Sequence, residues 1–129
     1  MKKLISVVFV ALSFFIHTAL KAQSIDGVVT GIKKGNATQI TDNAGDSFSL
    51  TIMDKSNNYS KADAAKVIKD FFGKNVVKSF DVKHKGNSPN GQYAIGTLTT
   101  SAGNYRVNIF MKKENNKEVI KELRFQLIE

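Results

Sequence analysis

The chain has 129 residues, of which 42% are hydrophobic and 23% charged, and its formal net charge at pH 7 is +8. This length suits one domain, and this apolar fraction excludes intrinsic disorder as the default state. The absence of cysteine excludes disulfide bonds, thiol catalysis, cysteine-ligated zinc and a lipid anchor on an N-terminal cysteine.

The first 22 residues have the pattern of a removable export signal. Lys2 and Lys3 supply positive charge, residues 4–16 are nearly all apolar, and Ala22 offers a small residue for cleavage. The alternative is an uncleaved membrane anchor, but the apolar run is shorter than the ~20 residues that a spanning helix needs. We therefore expect an exported chain of residues 23–129, located in the periplasm or outside the cell, with no membrane span after the signal is removed.

A helical pattern interrupted by glycine follows the signal. Apolar residues recur at helical spacing over residues 25–32, and Gly35 predicts the end of the helix. Gly27 and Gly31 lie inside this pattern, where their small size permits close packing on a sheet. Asn36 predicts the cap of a second, short helical turn.

A half-buried strand is predicted over residues 48–52, where apolar and polar residues alternate. The asparagine pair Asn57 and Asn58 is typical of a turn, so the sequence predicts a short hairpin at that point. Tyr59 then lies on a brief return strand.

The clearest helix of the chain is predicted to begin at Ser60 and to end at Gly73. Ser60, with Asp63 three residues later, resembles a capping box, in which the serine side chain accepts a hydrogen bond from the first turn of the helix. The lysines of this segment fall opposite an apolar stripe formed by Ala64, Val67, Ile68, Phe71 and Phe72.

Beyond this helix the apolar residues alternate with polar ones as far as the C-terminus. Three turn signals divide this part of the chain into four strands: Pro89-Asn90-Gly91, Ala102-Gly103 and Asn115-Asn116. Because strands and helices are segregated along the chain, the predicted fold class is α+β: N-terminal helices and one long helix packed on a curved antiparallel sheet with a C-terminal four-strand meander.

The amino-acid sequences of several segments resemble those of a known family. The segments are Tyr59-Ser60, Lys69-Asp70-Phe71-Phe72, Lys78-Ser79-Phe80, residues 93–100 (YAIGTLTT) and Gly103-Asn104-Tyr105-Arg106-Val107. Together they are similar to the secreted bacterial domain-of-unknown-function family 4783, whose fold is nuclear-transport-factor-2-like (cystatin-like). The resemblance extends from Ile25 to the C-terminus and implies a fold and an export route, but no activity and no functional residues. Since the wider fold includes isomerases, dehydratases, ligand-binding proteins and protein-binding modules, it leaves the function open.

His84 is the one histidine beyond the export signal. His84 is separated from Phe80 and Val82 by an even number of positions along the predicted strand, so its side chain is expected on the same face of the sheet. This position predicts that His84 lies at the mouth of a pocket between sheet and helices, as a general base or as a hydrogen-bond partner of a ligand. The alternative is an exposed histidine at the end of a strand. Because no carboxylate falls on the predicted inner face beside it, a small isomerase- or dehydratase-type enzyme using His84 as base is the secondary hypothesis.

Tyr59, Tyr93 and Tyr105 are candidate ligand-binding residues, since a tyrosine can offer its hydroxyl to a largely apolar ligand. The alternative is packing in the core or on the sheet, with a backbone group as hydrogen-bond partner. Arg106 and Arg124, the two arginines of the chain, fall opposite the apolar residues of their strands. They could form a small anion site, or they could pair with an acid such as Glu122.

We expect no metal, no cofactor and no nucleic-acid partner. Asp42 and Asp46 have a spacing that matches no calcium loop, and the lysines are interleaved with acids rather than concentrated in a basic stripe. The main hypothesis is therefore a non-catalytic domain of the cell envelope that binds a small apolar ligand or an envelope protein. Leu98, Phe110 and Ile128 offer apolar surface on which the open sheet face would form a homodimer.

Overall fold

The computed structural model describes residues 24–128, and within them helices and strands are segregated along the chain. In chain order the elements are α1 (Ile25–Lys34), α2 (Ala37–Thr41), β1 (Ser47–Ile52), β2 (Lys55–Ser60), α3 (Lys61–Lys74), β3 (Val77–Ser88), β4 (Gly91–Thr100), β5 (Gly103–Glu114) and β6 (Lys117–Leu127). The strands form one sheet in the order β2-β1-β6-β5-β4-β3, in which the β1–β6 pair is parallel and the other pairs are antiparallel. The predicted α+β class is confirmed. The predicted export signal lies outside the described residues.

The helix pattern at the start of the described chain is confirmed, but its glycines pack against a different neighbour from the one predicted. A Cβ atom at Gly31 would lie 2.7 Å from Ile40 Cγ1 and 2.9 Å from the backbone nitrogen of Ile40. A Cβ atom at Gly27 would lie 2.6 Å from Asn43 Oδ1. The two glycines therefore let α1 approach α2 and the loop after it, rather than the sheet.

The β1–β2 hairpin turns at Met53-Asp54, so the prediction of a turn at Asn57-Asn58 is wrong. Both asparagines lie inside β2, paired with residues of β1. Met53 occupies a left-handed conformation with φ of 55°. Since methionine rarely adopts this conformation, the sequence carries no local signal for the turn.

The long helix α3 begins as predicted, because the Ser60 side chain accepts a 3.2 Å hydrogen bond from the backbone N–H of Asp63. Its apolar stripe faces the sheet, and the space between them is filled by aromatic rings. The ring centroid of Phe71 lies 4.9 Å from that of Phe125 and 5.0 Å from that of Tyr105. Phe72 packs edge-on against Phe125 at 6.2 Å. The four rings are buried, so this layer is core rather than an open pocket.

The face of β4 that meets the helices is the opposite of the one predicted. Leu98, expected on the open sheet face, is fully buried in the core together with Ala94. Tyr93 and Ile95 are half-buried on the other side of the strand. The sequence pattern is misleading because the inner position between Ala94 and Leu98 is Gly96, where a Cβ atom would lie 2.7 Å from the ring of Phe80. The small residue accommodates an aromatic ring from the neighbouring strand.

Candidate functional site

A groove with a volume of about 510 Å³ lies between α3 and the β1–β2 hairpin. Leu50 and Phe71 form a buried apolar floor. Ile52 from the hairpin and Val67 from α3 are half-buried and extend the apolar surface up the two walls. The groove thus gives access to one edge of the otherwise filled layer between sheet and helices.

The side-chain amide of Asn75, at the floor of the groove, already has hydrogen-bond partners within the protein. Asn75 is buried, and its Oδ1 accepts a 2.7 Å hydrogen bond from the Tyr105 hydroxyl. Its Nδ2 donates to the carbonyl oxygen of Phe71 at 3.0 Å. Because the amide uses its groups on its own neighbours, the floor offers a ligand mainly apolar contact. Sequence reasoning missed Asn75, although a polar residue directly after a long amphipathic helix is a signal for a helix cap.

Charged side chains surround the mouth of the groove. Lys74 and Asp70 form an exposed ion pair at 3.4 Å. Lys55 lies on the hairpin side, is exposed, and makes no side-chain hydrogen bond or ion pair within residues 24–128. Asp54, the residue before Lys55, also lines the groove and is exposed. The groove therefore combines an apolar interior with a rim on which the Lys55 ammonium and the Asp54 carboxylate are both unpaired within residues 24–128.

One of the three tyrosines named from the sequence lines this groove, and a second supports a residue of its floor. Tyr59 is half-buried on its hairpin wall, where its hydroxyl accepts a 3.3 Å hydrogen bond from Asn57 Nδ2. Tyr105 does not line the groove, but its hydroxyl donates a hydrogen bond to Asn75 and so fixes the position of this floor residue. The structure brings together one wall residue and one residue that positions the floor.

His84 does not reach this groove, and the prediction that it lies at a pocket mouth is wrong. Val82 pairs with Gly96, but His84 pairs with Ile95, so Lys83 is an extra residue in a β-bulge. The bulge reverses the parity that the sequence pattern relied on. His84 consequently lies on the open face of the sheet, exposed to solvent, and makes no side-chain hydrogen bond within residues 24–128.

Tyr93 also lies on the open face, where it covers a glycine on the adjacent strand. A Cβ atom at Gly86 would lie 2.8 Å from the Tyr93 hydroxyl oxygen and 3.0 Å from its ring. The same residues are direct partners in the pairing of β3 with β4. An aromatic ring placed over a strand glycine protects the backbone there and stabilises the pairing. Tyr93 is therefore separated by the sheet from the groove that Tyr59 lines.

No carboxylate is enclosed within residues 24–128: the aspartates are exposed, and among the glutamates only Glu118 and Glu122 are half-buried. Glu118 accepts a hydrogen bond from the backbone N–H of Gln92, and Glu122 accepts one from Arg124 Nε at 2.9 Å. An acid partner was one of the two alternatives predicted for the arginines, but it was expected across the sheet, and Glu122 lies on the same strand as Arg124, two residues away. The same stretch contains no cluster of three potential metal ligands. It also contains no helix long and apolar enough to cross a membrane.

Comparisons with known proteins agree with this architecture. The family model described as Domain of unknown function (DUF4783) matches residues 25–126. A DUF4783 family protein from Bacteroides uniformis is 35% identical, with 81% of this chain and 97% of that chain covered and a TM-score of 0.78. No curated protein matches the chain.

More distant structures show the fold alone. A domain of unknown function with a cystatin-like fold from Nostoc punctiforme is 8% identical, with a TM-score of 0.61 over 79% of this chain and 71% of that chain. An NTF2-like protein of unknown function from Cytophaga hutchinsonii is 10% identical, with a TM-score of 0.58 over 80% of this chain and 85% of that chain. The chain thus has the nuclear-transport-factor-2-like (cystatin-like) fold, and it belongs to the family described as Domain of unknown function (DUF4783).

Proposed function

We propose that this protein is a non-catalytic binding domain of the cell envelope, and that the groove between α3 and the β1–β2 hairpin holds a small, largely apolar ligand with an acidic end. The observation that carries the proposal is the groove itself, with its volume of about 510 Å³. Small-molecule sites are typically concave, mostly apolar and roughly 300–1,000 Å³ in volume.

The chemistry of the ligand follows from the two parts of the groove. Leu50, Phe71 and Val67 favour an aliphatic or aromatic body, since contact with them removes apolar surface from water. Lys55 at the rim favours an acidic head group, because this ammonium group has no carboxylate partner among the described residues. A small amphipathic carboxylate satisfies both requirements.

A binding role is preferred to the enzyme hypothesis because the groove and His84 lie on opposite sides of the sheet. General acid–base catalysis needs a titratable group within hydrogen-bond reach of the substrate. The charged groups around the groove are Asp54, Lys55, Asp70 and Lys74, and all four are exposed at its mouth rather than enclosed beside the apolar floor. These positions suit recognition of charge better than proton transfer inside a closed site.

The location in the cell envelope rests on the N-terminal residues, in which Lys2 and Lys3 follow Met1, an apolar run comes next, and Ala22 offers a small residue for cleavage. Fractionation of the native host, followed by intact mass measurement, tests this part of the proposal. A periplasmic or extracellular chain that begins at Gln23 is expected. A cytoplasmic chain that retains Met1–Ala22 contradicts it.

The groove is tested by titrating the purified protein with decanoate and recording backbone and methyl NMR shifts. We expect saturable shifts at Val67 and its neighbours, and loss of these shifts when Val67→Arg fills the groove. Lys55→Glu should weaken binding by about tenfold, because it replaces attraction to the carboxylate with repulsion. Lys69→Glu, on the exposed surface of the same helix but outside the groove, is the matched control. Shifts that survive Val67→Arg, or the absence of any saturable shift, would overturn the proposal.

A further inference from the structure

The two edges of the six-stranded sheet are protected to different degrees. β3 forms one edge, where its pairing with β4 is interrupted by register shifts and where Lys78, Lys83 and Lys85 are exposed. β2 forms the other edge. Its pairing with β1 runs without a shift from Lys55 to Ser60, and Lys55 is its one charged residue. Because irregular pairing and lysines keep an edge strand from pairing with another chain, β2 is the edge at which a further strand can be added.

The backbone of β2 presents two residues to this free edge. Opposite residues of an antiparallel pair alternate between those that exchange both hydrogen bonds and those that exchange none. The backbone N–H of Lys61 donates a 3.0 Å hydrogen bond to the carbonyl oxygen of Asp46, which sets this alternation for β1 and β2. Counted from that bond, the N–H and C=O groups of Ser56 and Asn58 point away from β1. Among the strands of residues 24–128, none lies on that side of β2.

The groove between α3 and the β1–β2 hairpin runs beside this free edge, because Lys55 and Tyr59 of β2 both line it. The two residues are separated by about 13 Å along the strand, at ~3.3 Å per residue. Asn57, midway between them, is the direct partner of Leu50 at the floor of the groove. Alternate side chains of β2 therefore lie on the groove side of the sheet, and the same holds for a strand added beside it.

We propose that the groove binds the C-terminal end of an extended polypeptide, which adds to β2 as an antiparallel seventh strand. This inference rests on the proposed function, since it uses the same groove and names its ligand, with an apolar body and an acidic end, as a peptide terminus. Counted back from the C-terminal residue as the first, the second and fourth residues of the peptide exchange backbone hydrogen bonds with Ser56 and Asn58. The first, third and fifth direct apolar side chains into the groove. In strand addition the backbone bonds supply affinity, and the alternate side chains supply specificity.

The charges at the rim determine the direction of the added strand. β2 begins at the hairpin tip, so a strand antiparallel to it ends there, with its terminal carboxylate beside Lys55. Asp54 is also exposed at the tip, but it lines a second depression as well, together with Arg106. Lys55 lines the groove and not this depression. The charge that belongs to the groove alone is therefore an ammonium, which favours a terminal carboxylate over a terminal amine.

Amide hydrogen exchange, recorded by NMR with a synthetic peptide, tests the added strand. The probe is an N-acetylated hexapeptide in which serine alternates with valine or leucine and the last residue is leucine with a free carboxylate. We expect saturable shifts at Val67 and slower exchange at Ser56 and Asn58, whose N–H groups gain acceptors. The amide of Asn57 already donates to β1 and is the internal control. Decanoate should slow exchange at neither Ser56 nor Asn58, because it has no backbone to pair with β2.

Altered peptides separate the contributions to binding. N-methylation of the second residue from the C-terminus should raise the Kd about tenfold or more, because it removes the hydrogen bond to the Ser56 carbonyl oxygen. N-methylation of the third residue is the matched control, since its N–H points away from β2. A peptide with its apolar residues shifted by one position should also bind at least about tenfold more weakly, since its apolar side chains then lie on the other face of the sheet.

The direction of the strand is tested by replacing the terminal carboxylate with an amide. Amidation should raise the Kd of the wild-type protein about tenfold and should have no such effect on Lys55→Glu. Lys69→Glu, on the exposed surface of α3, should retain the preference for the free acid. Circular dichroism establishes that both variants are folded. A preference for the acid that survives in Lys55→Glu overturns the assigned direction.

The outcomes distinguish this inference from the proposed function on which it rests. Peptide binding that leaves exchange at Ser56 and Asn58 unchanged overturns the added strand, as do equal effects of the two N-methylations. A protein that binds decanoate in the groove but not the peptide overturns the peptide inference and leaves the small-ligand proposal standing. A protein that binds neither overturns both.

Discussion

The Tyr105 hydroxyl donates a 2.7 Å hydrogen bond to Asn75 Oδ1, and both residues are buried. Tyr105 belongs to the inner face of β5, and Asn75 is the residue that caps the C-terminal end of α3. The bond therefore fixes the end of the long helix to the sheet directly beneath the groove. The same two residues complete the core and determine the shape of the candidate site.

Replacement of Tyr105 by phenylalanine should destabilise the protein by about 1–3 kcal/mol, because Asn75 Oδ1 loses its donor while remaining buried. The free energy of unfolding from urea titration measures this effect. Tyr93→Phe is the matched control, since the Tyr93 hydroxyl makes no hydrogen bond within residues 24–128, and it should change stability by less than about 0.5 kcal/mol. Equal effects of the two substitutions would contradict the role assigned to the Tyr105–Asn75 bond.

Replacement of Gly31 by alanine should destabilise the protein by about 1–3 kcal/mol, although alanine is the better helix former. The new Cβ atom would lie 2.9 Å from the backbone nitrogen of Ile40, which cannot move without separating α1 from α2. Gly73→Ala in α3 is the control, since nothing lies within 4 Å of a Cβ atom there. It should gain up to about 1 kcal/mol from helix propensity alone. Thermal unfolding of both variants should give shifts of opposite sign, and shifts of the same sign would contradict the close contact.

These two glycines illustrate what the sequence could predict. Apolar periodicity identified α1, α3 and the four-strand meander, because each depends on burial of one face of a regular element. Periodicity also showed that Gly31 lies within a helix, but not which neighbour it meets. That depends on the tertiary position of α2, which residues close to Gly31 in the sequence do not encode.

The errors concern irregular features that interrupt a period. The bulge at Lys83 places His84 on the open face of the sheet. Gly96 breaks the apolar pattern of the inner face of β4, because the ring of Phe80 occupies the space where a larger side chain would lie. The groove was missed for a related reason. Its floor residue Asn75 and its rim residue Lys55 are twenty positions apart in the sequence, and they line one groove only because the hairpin folds back beside α3.

Replacement of Met53 by glycine should stabilise the protein by about 1 kcal/mol. Met53 has a left-handed backbone conformation with φ of 55°, which glycine adopts without the steric cost that a Cβ atom brings. Asn116→Gly is the comparison variant. Asn116 has φ of 64° in the β5–β6 turn, but asparagine already tolerates this conformation, so its gain should be smaller. Met53→Gly should also weaken decanoate binding, since Met53 lines the rim of the groove. A loss of stability in Met53→Gly would mean that packing of the methionine side chain outweighs its backbone strain.

The effect of Gly86→Ala on the free energy of unfolding should change sign when Tyr93 is also replaced. In the wild-type chain Gly86→Ala should be destabilising, because its Cβ atom would lie 2.8 Å from the Tyr93 hydroxyl oxygen and force the ring away. In a Tyr93→Ala background the same change should be stabilising, since alanine has a higher strand propensity than glycine and the space above it is then open. A double-mutant cycle in urea should give a coupling energy of at least about 0.5 kcal/mol. If the two substitutions are additive, the ring of Tyr93 does not protect Gly86, and the packing on this part of the open face differs from the structure.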